Sequence, residues 1–448
     1  MSRNENSKSK VSNSKLDNTN YSFTVGSDGP VLLQDTILHE VLEGFVNEKI
    51  IERAVHTKGY GAFGYFITQK SMKSYTCAEF LQTPGQKVQT FSRFSLAVSN
   101  KGTPDTSRNV RGFSTKFYTN TGVFDLLCNH IPVFLVRDSI KFPAAIKSLS
   151  PSPINNLLDP SSFWKFVSEN PESVHFLLML YSDLGTIDNL RRVRYYGVNT
   201  YVWKNAQGKK HYVKYHWIPI LEEKNIDRQM SIKIAGENPN IAGEDLYNTI
   251  ANGKTVEFDL CVQLMSFSES YNLSFDPLDD TKVWSEDDYP LIPVGKLVLN
   301  KNVAEYENQV EKVAFSPSNL LEGIELSDDK MLQGRSFIYW DAQRRRLGPD
   351  FRDIPINHMK DWNYNSLVTS GVGNYTSGIQ GRSDISKPDD FSQASEFYYS
   401  LSQTEKDHLI DNIASDLKLA SKNIQRQVLK YLYIINDDLG INIQTLIQ

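Results

Sequence analysis

Residues 331–348, with the sequence MLQGRSFIYWDAQRRRLG, place an arginine four positions before a tyrosine. If this segment is helical, Arg335 and Tyr339 share one face, because residues four apart are neighbours on a helix. A permanent guanidinium charge beside a phenol favours the ionised phenolate, and an anionic oxygen of this kind is a hard ligand suited to ferric iron. Taken alone, the segment is more typical of a surface helix with an exposed basic run. The other segments of the chain determine which of the two interpretations holds.

The composition limits the class of protein. The chain has 448 residues, a net charge of −5 and a pI near 6.0, which argues against a general binder of nucleic acid or anionic membranes. The cysteines, Cys77, Cys128 and Cys261, lack a C-x-x-C spacing, which excludes a disulfide framework or a cysteine zinc site and fits a reducing compartment. The first residues lack the apolar run of a secretory signal. We therefore expect a cytoplasmic protein without nucleic-acid or membrane partners.

The elements that must position the site are predicted from hydrophobic periodicity. Apolar residues alternate with mostly polar ones along residues 256–264, which is typical of a half-buried strand. Residues 199–217 predict two strands joined by a turn at 206–208. Several such strands without intervening helices favour an antiparallel barrel over a parallel sheet. The fold class predicted is therefore α+β, with an antiparallel β-barrel.

Helices are predicted towards both ends of the chain. Apolar residues at helical spacing predict a helix over 38–45, and a capping box at Ser402–Glu405 begins another, with a second around 424–432. The predicted organisation is a flexible N-terminal arm (1–27), a barrel domain (28–300), a long wrapping connection that carries the arginine–tyrosine helix (301–388) and a C-terminal helical domain (389–448).

One motif is rejected. Residues 59–64, GYGAFG, match the G-x-G-x-x-G fingerprint of dinucleotide-binding proteins, and Glu79 follows at a suitable distance. That fingerprint must follow a strand and open a helix, whereas here a helix-like segment precedes it and the strand-like YFIT follows. We interpret the glycines as positions of close packing or a bend at the start of a strand.

Several separated segments resemble, in order and spacing, the haem-containing monofunctional catalases. These segments are GPVLLQD, ERAVHTKGYGAFGYF, FSRFSLAVSNKGTPDTSRNVRGFSTKFYT, FDLLCNHIPVFLVRDSIKFP, VGKLVLNKNVAEYENQVEKVAFSPSN and the opening segment at 331–348. The resemblance covers nearly the whole chain, from about Gly29 to the C-terminal helices, and its ordered set of motifs is specific where no single motif is. It implies a catalase-like fold of the small-subunit type.

The matching positions imply the site residues. His56 resembles the distal acid/base, Asn129 its partner, and Ser95 the hydroxyl that holds the histidine ring. Tyr339 resembles the proximal iron ligand, the residue type that holds haem iron in catalase, and Arg335 would keep it anionic. The other matches concern haem binding. Three arginines resemble the cations that pair with the two haem propionates: Arg53, Arg93 and Arg346. Phe142 and Phe134 resemble aromatics beside the porphyrin and over the distal pocket, and Val55 is a neighbour on the distal side.

The resemblance implies a haem b catalase that converts hydrogen peroxide to water and oxygen through a ferryl-oxo porphyrin radical, assembled as a homotetramer. Peroxide cleavage needs a proton moved between two oxygens, which suits a histidine because its pKa lies near neutrality. Two alternatives stay open. One is a catalase-fold enzyme that acts on organic or fatty-acid hydroperoxides. The other is an inactive haem-binding descendant. The sequence argues against it, because it retains all four residues of the matched site: His56, Asn129, Arg335 and Tyr339.

Some positions depart from the family pattern. Trp340, Gln343 and Asn199 stand where proline, histidine and histidine are usual, and none of these changes removes a ligand. Leu184 and Glu286 stand where dinucleotide-binding members carry arginine and histidine. Because the positive charge and the stacking group are missing there, we expect no bound NADPH.

Overall fold

The structure is a computed structural model that describes residues 21–47, 50–358, 381–383, 385, 387 and 389–448. The chain divides into two compact units, residues 1–51 and 52–448. In the first unit, α1 (Thr36–Asn47) confirms the helix predicted over 38–45. Most of the predicted flexible arm, residues 1–20, lies outside the described residues, as do residues 359–380 of the predicted wrapping connection.

An antiparallel β-barrel forms the centre of the second unit. Its strands are β1 (Gly59–Thr68), β2 (Lys87–Leu96), β3 (Arg111–Thr119), β4 (Gly122–Asn129), β5 (Tyr195–Tyr196), β6 (Tyr201–Lys204), β7 (Lys210–Pro219), β8 (Val256–Ser266), β9 (Ile292–Asn302) and β10 (Ile324–Leu326). Neighbours follow the order β7-β5-β4-β3-β2-β1-β9-β8, and pairing of β8 with β7 closes this ring of eight strands. β6 pairs with β7 beside β5, and β10 pairs with β6. The predicted antiparallel barrel is confirmed.

Aromatic side chains fill the barrel interior. The rings of Phe94 on β2 and Phe113 on β3 stack with their centroids 4.3 Å apart, and Trp217 on β7 packs near Phe113 at 5.8 Å. Because side chains alternate between the two faces of a strand, the residues next to these rings point out of the barrel. A site built from such neighbours therefore lies on the outer face of the barrel wall.

The strand predictions hold. β8 confirms the alternation over 256–264, and β6 and β7 form the predicted hairpin, with Gly208 at φ +80° in its turn. The rejected glycine motif lies in β1, where a side-chain Cβ on Gly64 would fall 2.0 Å from the Val298 carbonyl oxygen of β9. The interpretation of these glycines as positions of close packing is confirmed.

The helices of the second unit fall in three groups along the chain. They are α2 (Phe142–Leu149), α3 (Pro160–Glu169), α4 (Val174–Tyr181), α5 (Arg228–Glu237), α6 (Ile241–Ala251), α7 (Lys330–Leu347), α8 (Ser392–Ser400), α9 (Gln403–Leu417), α10 (Lys422–Ile435) and α11 (Asp437–Ile447). The expectation that no helices separate the strands is wrong, because α2–α4 lie between β4 and β5 and α5–α6 between β7 and β8. The strands on either side of these helices nevertheless pair antiparallel, β4 with β5 and β7 with β8.

α7 confirms the helix predicted over the arginine–tyrosine segment, and α9 begins at the predicted capping box, in which Ser402 and Glu405 bond to each other's backbone. α3 and α4 share one apolar core with the C-terminal helices, through residues such as Trp164, Leu177, Leu409 and Val428. Within the described ranges, no helix is both long enough and apolar enough to cross a membrane. The division into four segments stays a prediction.

Candidate active site

Three adjacent strands place the predicted distal residues in one row. Ser95 on β2 lies opposite Gly112 on β3, and Gly112 lies opposite Asn129 on β4. Their neighbours Phe94 and Phe113 belong to the barrel core, so the row lies on the outer face. Strand register thus brings together a hydroxyl, a position without a side chain and an amide that are far apart in sequence.

His56 lies against this row. Its Nδ1 is 2.9 Å from Ser95 Oγ, and its backbone nitrogen donates to the Ala97 carbonyl at 2.8 Å. The residue has φ +61°, a conformation that is rare for residues other than glycine and costs about 1–3 kcal/mol. A Cβ on Gly112 would fall 2.7 Å from His56 Cε1, so the ring occupies the space that a side chain there would need. With Nδ1 held by the serine, Nε2 is the ring nitrogen left to meet a substrate.

The surroundings keep this histidine neutral. Burial, and then the positive charges of Arg93, Arg335 and Arg53, lower the pKa of His56 to about 3. At neutral pH the imidazole therefore carries no charge and has a lone pair for a proton, but it is a weaker base than the near-neutral pKa assumed from the sequence implies.

The tyrosine predicted as the iron ligand lies on α7 beside its arginine. Arg335 Nη2 donates to Tyr339 Oη at 3.2 Å, as the four-residue spacing predicted. The guanidinium also lies 5.1 Å from the centre of the Phe134 ring, which places Phe134 beside the tyrosine's partner. Burial lowers the pKa of Arg335, but the neighbouring Tyr339 oxygen outweighs it, so the pKa lies above its ordinary value. Arg335 is a permanent cation beside the phenol.

The arginines predicted for the propionates form one cluster around Glu311. Arg53 Nη1 lies 3.1 Å from one oxygen of Glu311, and Arg93 Nη2 lies 3.7 Å from the other. Arg346 Nη1 donates to the Glu311 carbonyl oxygen at 2.5 Å. Three guanidinium groups against one carboxylate leave two positive charges unbalanced, and Arg93 Nε is buried without a hydrogen-bond partner in the described part of the chain. Two propionates would balance these charges, so the cluster fits haem.

Comparison with known proteins identifies the family. A family profile described as "Catalase" matches residues 9–387, and a second, described as "Catalase-related immune-responsive", matches residues 384–447. The chain belongs to the catalase family. The catalase of Listeria innocua is 37% identical to it, over 96% of this chain and 95% of the relative. The Cavia porcellus catalase is 38% identical, over 95% of this chain and 86% of its own length.

Solved structures agree. Catalase A from Saccharomyces cerevisiae superposes with a TM-score of 0.88 at 34% identity, covering 96% of both chains, and a fungal catalase superposes with a TM-score of 0.87. The predicted activity, that of a haem catalase acting on hydrogen peroxide, is confirmed. The two alternatives, an organic hydroperoxide enzyme and an inactive descendant, are not favoured.

Two residues that depart from the catalase pattern make polar or aromatic contacts near the site. Gln343 Oε1 accepts from Arg346 Nη2 at 3.1 Å, which connects this position to the arginine cluster. Trp340 Nε1 donates to Ser318 Oγ at 2.5 Å, and the Arg352 guanidinium lies 3.5 Å from the centre of its ring.

The two remaining predicted residues have fewer described contacts. Phe142 is half-buried against the helical core, and Val55 is half-buried next to His56 in the chain.

Sequence analysis missed two residues of the site. Gly112 supports the His56 ring, and Glu311 binds the arginine cluster. The signal for Glu311 was present, because three predicted propionate arginines close together need acidic partners. Gly112 gave no such signal, since its role depends on strand register.

Proposed function

We propose that His56, Ser95 and Asn129 form the peroxide side of a haem site in this catalase, and that Tyr339 is the iron ligand on the other side. The observation that carries the proposal is the neutral His56 ring, held at Nδ1 by Ser95 in the same strand row as Asn129. A base fixed in this way presents Nε2 to a substrate while an amide donor lies nearby.

The peroxide-side residues move and hold protons. Bound haem would supply the redox chemistry of the reaction. His56 Nε2 accepts a proton from one oxygen of hydrogen peroxide and returns it to the other oxygen, which leaves as water. Ser95 keeps the ring in place for both transfers, and Asn129 donates an amide hydrogen to the peroxide without competing for the proton. A second peroxide molecule gives two electrons and two protons, moved with the help of the same histidine, to the oxygen atom left from the first; that atom leaves as a second water, and the second peroxide leaves as O₂.

The residues on the other side hold the cofactor. Tyr339 Oη would bind the iron, and the permanent charge of Arg335 stabilises an anionic oxygen there. The propionates would take their hydrogen bonds from Arg53, Arg93 and Arg346, whose planar groups suit carboxylates.

Finer features of the proposal follow the family. We assign the cofactor as haem b, the assembly as a homotetramer of the small-subunit type and the compartment as the cytoplasm. The four predicted segments remain part of this proposal. NADPH is left out of the proposal, because Leu184 and Glu286 stand where dinucleotide-binding members carry an arginine and a histidine.

The first test is oxygen release from hydrogen peroxide by the purified, haem-loaded protein on an oxygen electrode. We expect rapid release from the wild type and from His39→Ala, an exposed control histidine in the first unit. His56→Ala should lower the rate by about a hundredfold or more while the Soret band stays, because positioned acid–base groups contribute about 10²–10⁴. A full haem spectrum without oxygen release from the wild type would contradict the proposal and direct attention to organic hydroperoxides. Tyr339→Phe should remove the phenolate-to-iron charge-transfer band.

A further inference from the structure

A chain of buried hydrogen bonds continues behind the tyrosine. Arg335 uses one guanidinium nitrogen for Tyr339 and the other for the side-chain oxygen of Asn199. The Asn199 amide nitrogen in turn donates to two carboxyl groups, that of Asp280 and that of Asp329, the latter at 3.1 Å. Asn199 and Asp329 are fully buried and Asp280 is 1% exposed, so water does not compete for these bonds.

The partners fix which way the amide points. A guanidinium only donates hydrogen bonds, and the Asp329 carboxyl group is an acceptor, because it already accepts from the Leu332 and Thr200 nitrogens. Asn199 therefore satisfies all three neighbours only with its oxygen towards Arg335 and its nitrogen towards the acidic pair. In the opposite orientation the amide oxygen would face the carboxyl oxygens of Asp280 and Asp329, and the amide nitrogen would face a donor.

The two carboxyl groups differ in what else they do. Asp329 caps α7 by accepting from the Leu332 nitrogen at 2.9 Å and also accepts from the Thr200 nitrogen at 3.1 Å. Asp280 has no comparable structural task, and its Oδ1 is buried without a hydrogen-bond partner in the part of the chain that the structure describes. An unpaired buried carboxyl oxygen costs stability, so its presence calls for an explanation in function.

The surrounding charges also disfavour a second carboxylate. Burial, and then the neighbouring Asp329, raise the pKa of Asp280 well above its ordinary value, although Lys214 and Arg335 oppose the shift. The Asp280 side chain, which is bonded to the Asn199 amide and lies beside Asp329, is thus retained in an unfavourable place for a charge.

The backbone before Asn199 is strained as well. Val198 has φ +58°, a conformation that is a genuine outlier for a β-branched residue. The Asn199 nitrogen donates to the Gly197 carbonyl at 2.7 Å, which closes a γ-turn of the rare positive-φ kind. Strain of this kind persists where the surroundings hold it, and here it directs the Asn199 amide into the network.

We propose that Asp280 is a positioning residue for the tyrosine ligand: together with Asp329 it fixes the Asn199 amide with its oxygen towards Arg335, and it thereby sets how strongly Arg335 draws charge from Tyr339. The inference rests on the proposed role of Tyr339 as the iron ligand. A carboxyl group on the amide nitrogen makes the amide oxygen a better acceptor, because successive hydrogen bonds polarise one another. Arg335 then forms a stronger hydrogen bond with Asn199 and a weaker one with the phenol oxygen.

Removal of this carboxyl group has a predictable sign. Arg335 would donate more strongly to Tyr339, and the phenol oxygen would donate less charge to bound iron. We expect Asp280→Asn and Asp280→Leu to shift the ferric/ferrous midpoint potential to more positive values and the phenolate-to-iron charge-transfer band to higher energy. The Asp280 backbone carbonyl, which accepts from the Phe134 nitrogen at 2.8 Å, is unaffected by either change.

The adjacent residue provides a matched control. Asp279 is also buried, but it pairs with Arg137 at 2.8 Å and is not bonded to Asn199. Asp279→Asn should lower the unfolding temperature without moving the potential or the band. The leucine variant provides a second route if the asparagine variant folds poorly, because an apolar side chain removes the unpaired oxygen together with the rest of the carboxyl group.

A double-mutant cycle tests the path through the amide. In an Asn199→Leu background, Asp280→Asn should no longer shift the potential, since its effect travels through Asn199. A shift that persists at full size there, or shifts of both Asp280 variants no larger than that of Asp279→Asn, would overturn the inference. Tyr339→Phe separates the two proposals: a charge-transfer band that survives in that variant contradicts the ligand assignment itself, not the role of Asp280 alone.

Discussion

The imidazole of His56 lies directly over Gly112, where a Cβ would fall 2.7 Å from Cε1 and 2.8 Å from Nδ1. The same Cβ would lie 2.9 Å from Ser95 Oγ, the atom that holds the ring. Gly112 therefore determines the position of the ring by the absence of a side chain, and Ser95 determines it by a hydrogen bond. A site that needs a proton carried between two oxygens depends on both.

The first prediction concerns this glycine. Gly112→Ala should push the His56 ring off Ser95 and lower kcat for oxygen release by about a hundredfold, since a misplacement of about 1 Å costs a factor of that order. The Soret band should remain, because the change does not touch the tyrosine side. The measurement is oxygen release at matched haem content.

Gly236→Ala is the control for a glycine with free space. It lies in α5, and a Cβ there would meet nothing within 4 Å. We expect unchanged activity and a stability gain of up to about 1 kcal/mol, because alanine is the better helix former. Equal activity of the two alanine variants would show that Gly112 does not position His56.

The sequence predicted the tyrosine side of the site because that side is local. Arg335 and Tyr339 are four residues apart in one helix, and helical geometry alone brings them together. Likewise, alternation over 256–264 is sufficient to predict β8.

The remaining features depend on contacts between distant segments. The meeting of His56 with Gly112 depends on register between strands, and the network around Asp280 joins residues about 80 to 130 positions apart in the chain. α4 escaped prediction for a different reason: all of its residues are buried, so it has no polar face and no helical periodicity.

The second prediction concerns stability in acid. Burial lowers the pKa of His56, His130 and His216 to about 3 and that of His175 to about 4. Below pH 6.5 the unfolded chain takes up protons that the folded chain refuses until about pH 3–4. The free energy of unfolding should therefore fall as pH drops through this window, by up to about 1.4 kcal/mol per pH unit for each histidine.

Urea titrations between about pH 6 and about pH 4 measure this slope. His175→Gln should reduce this slope by the contribution of one histidine. His408 is the matched control, because its hydrogen bond to Asp183 raises its pKa, so its contribution is complete below pH 6.5 and is lost only as pH rises. His408→Gln should leave the acid slope unchanged. An acid slope identical in wild type and His175→Gln would contradict the assignment.

The third prediction concerns a buried ion cluster. Arg137 pairs with Glu172 at 3.0 Å, with Asp279 at 2.8 Å and with Asp390, which precedes α8. Arg137→Ala leaves Asp279 and Asp390 without this cation and Glu172 with Lys141 alone, at 3.2 Å, and we expect it to cost about 3–5 kcal/mol of unfolding free energy. Denaturant unfolding measures the loss.

Arg191→Ala is the comparison for an exposed pair. Arg191 binds Asp245 at 2.6 Å, but the two side chains are 20% and 27% exposed, so solvent screens the pair. The expected cost is about 0–1 kcal/mol. Similar losses in the two variants would mean that burial of the Arg137 cluster does not matter.

The last prediction separates two neighbouring arginines of α7. Arg346 is buried, with hydrogen bonds to the Glu311 and Val313 carbonyls, whereas Arg345 is exposed on the same turn. If Arg346 also binds a propionate, Arg346→Gln removes a charged hydrogen bond worth about 1.5–3 kcal/mol, so haem should leave at least about tenfold faster. Arg345→Gln keeps the same helix and changes the net charge equally. Haem transfer to an excess of apomyoglobin gives both rates, and equal rates would exclude Arg346 from the propionate site, because only a direct contact distinguishes two arginines that share the same long-range field.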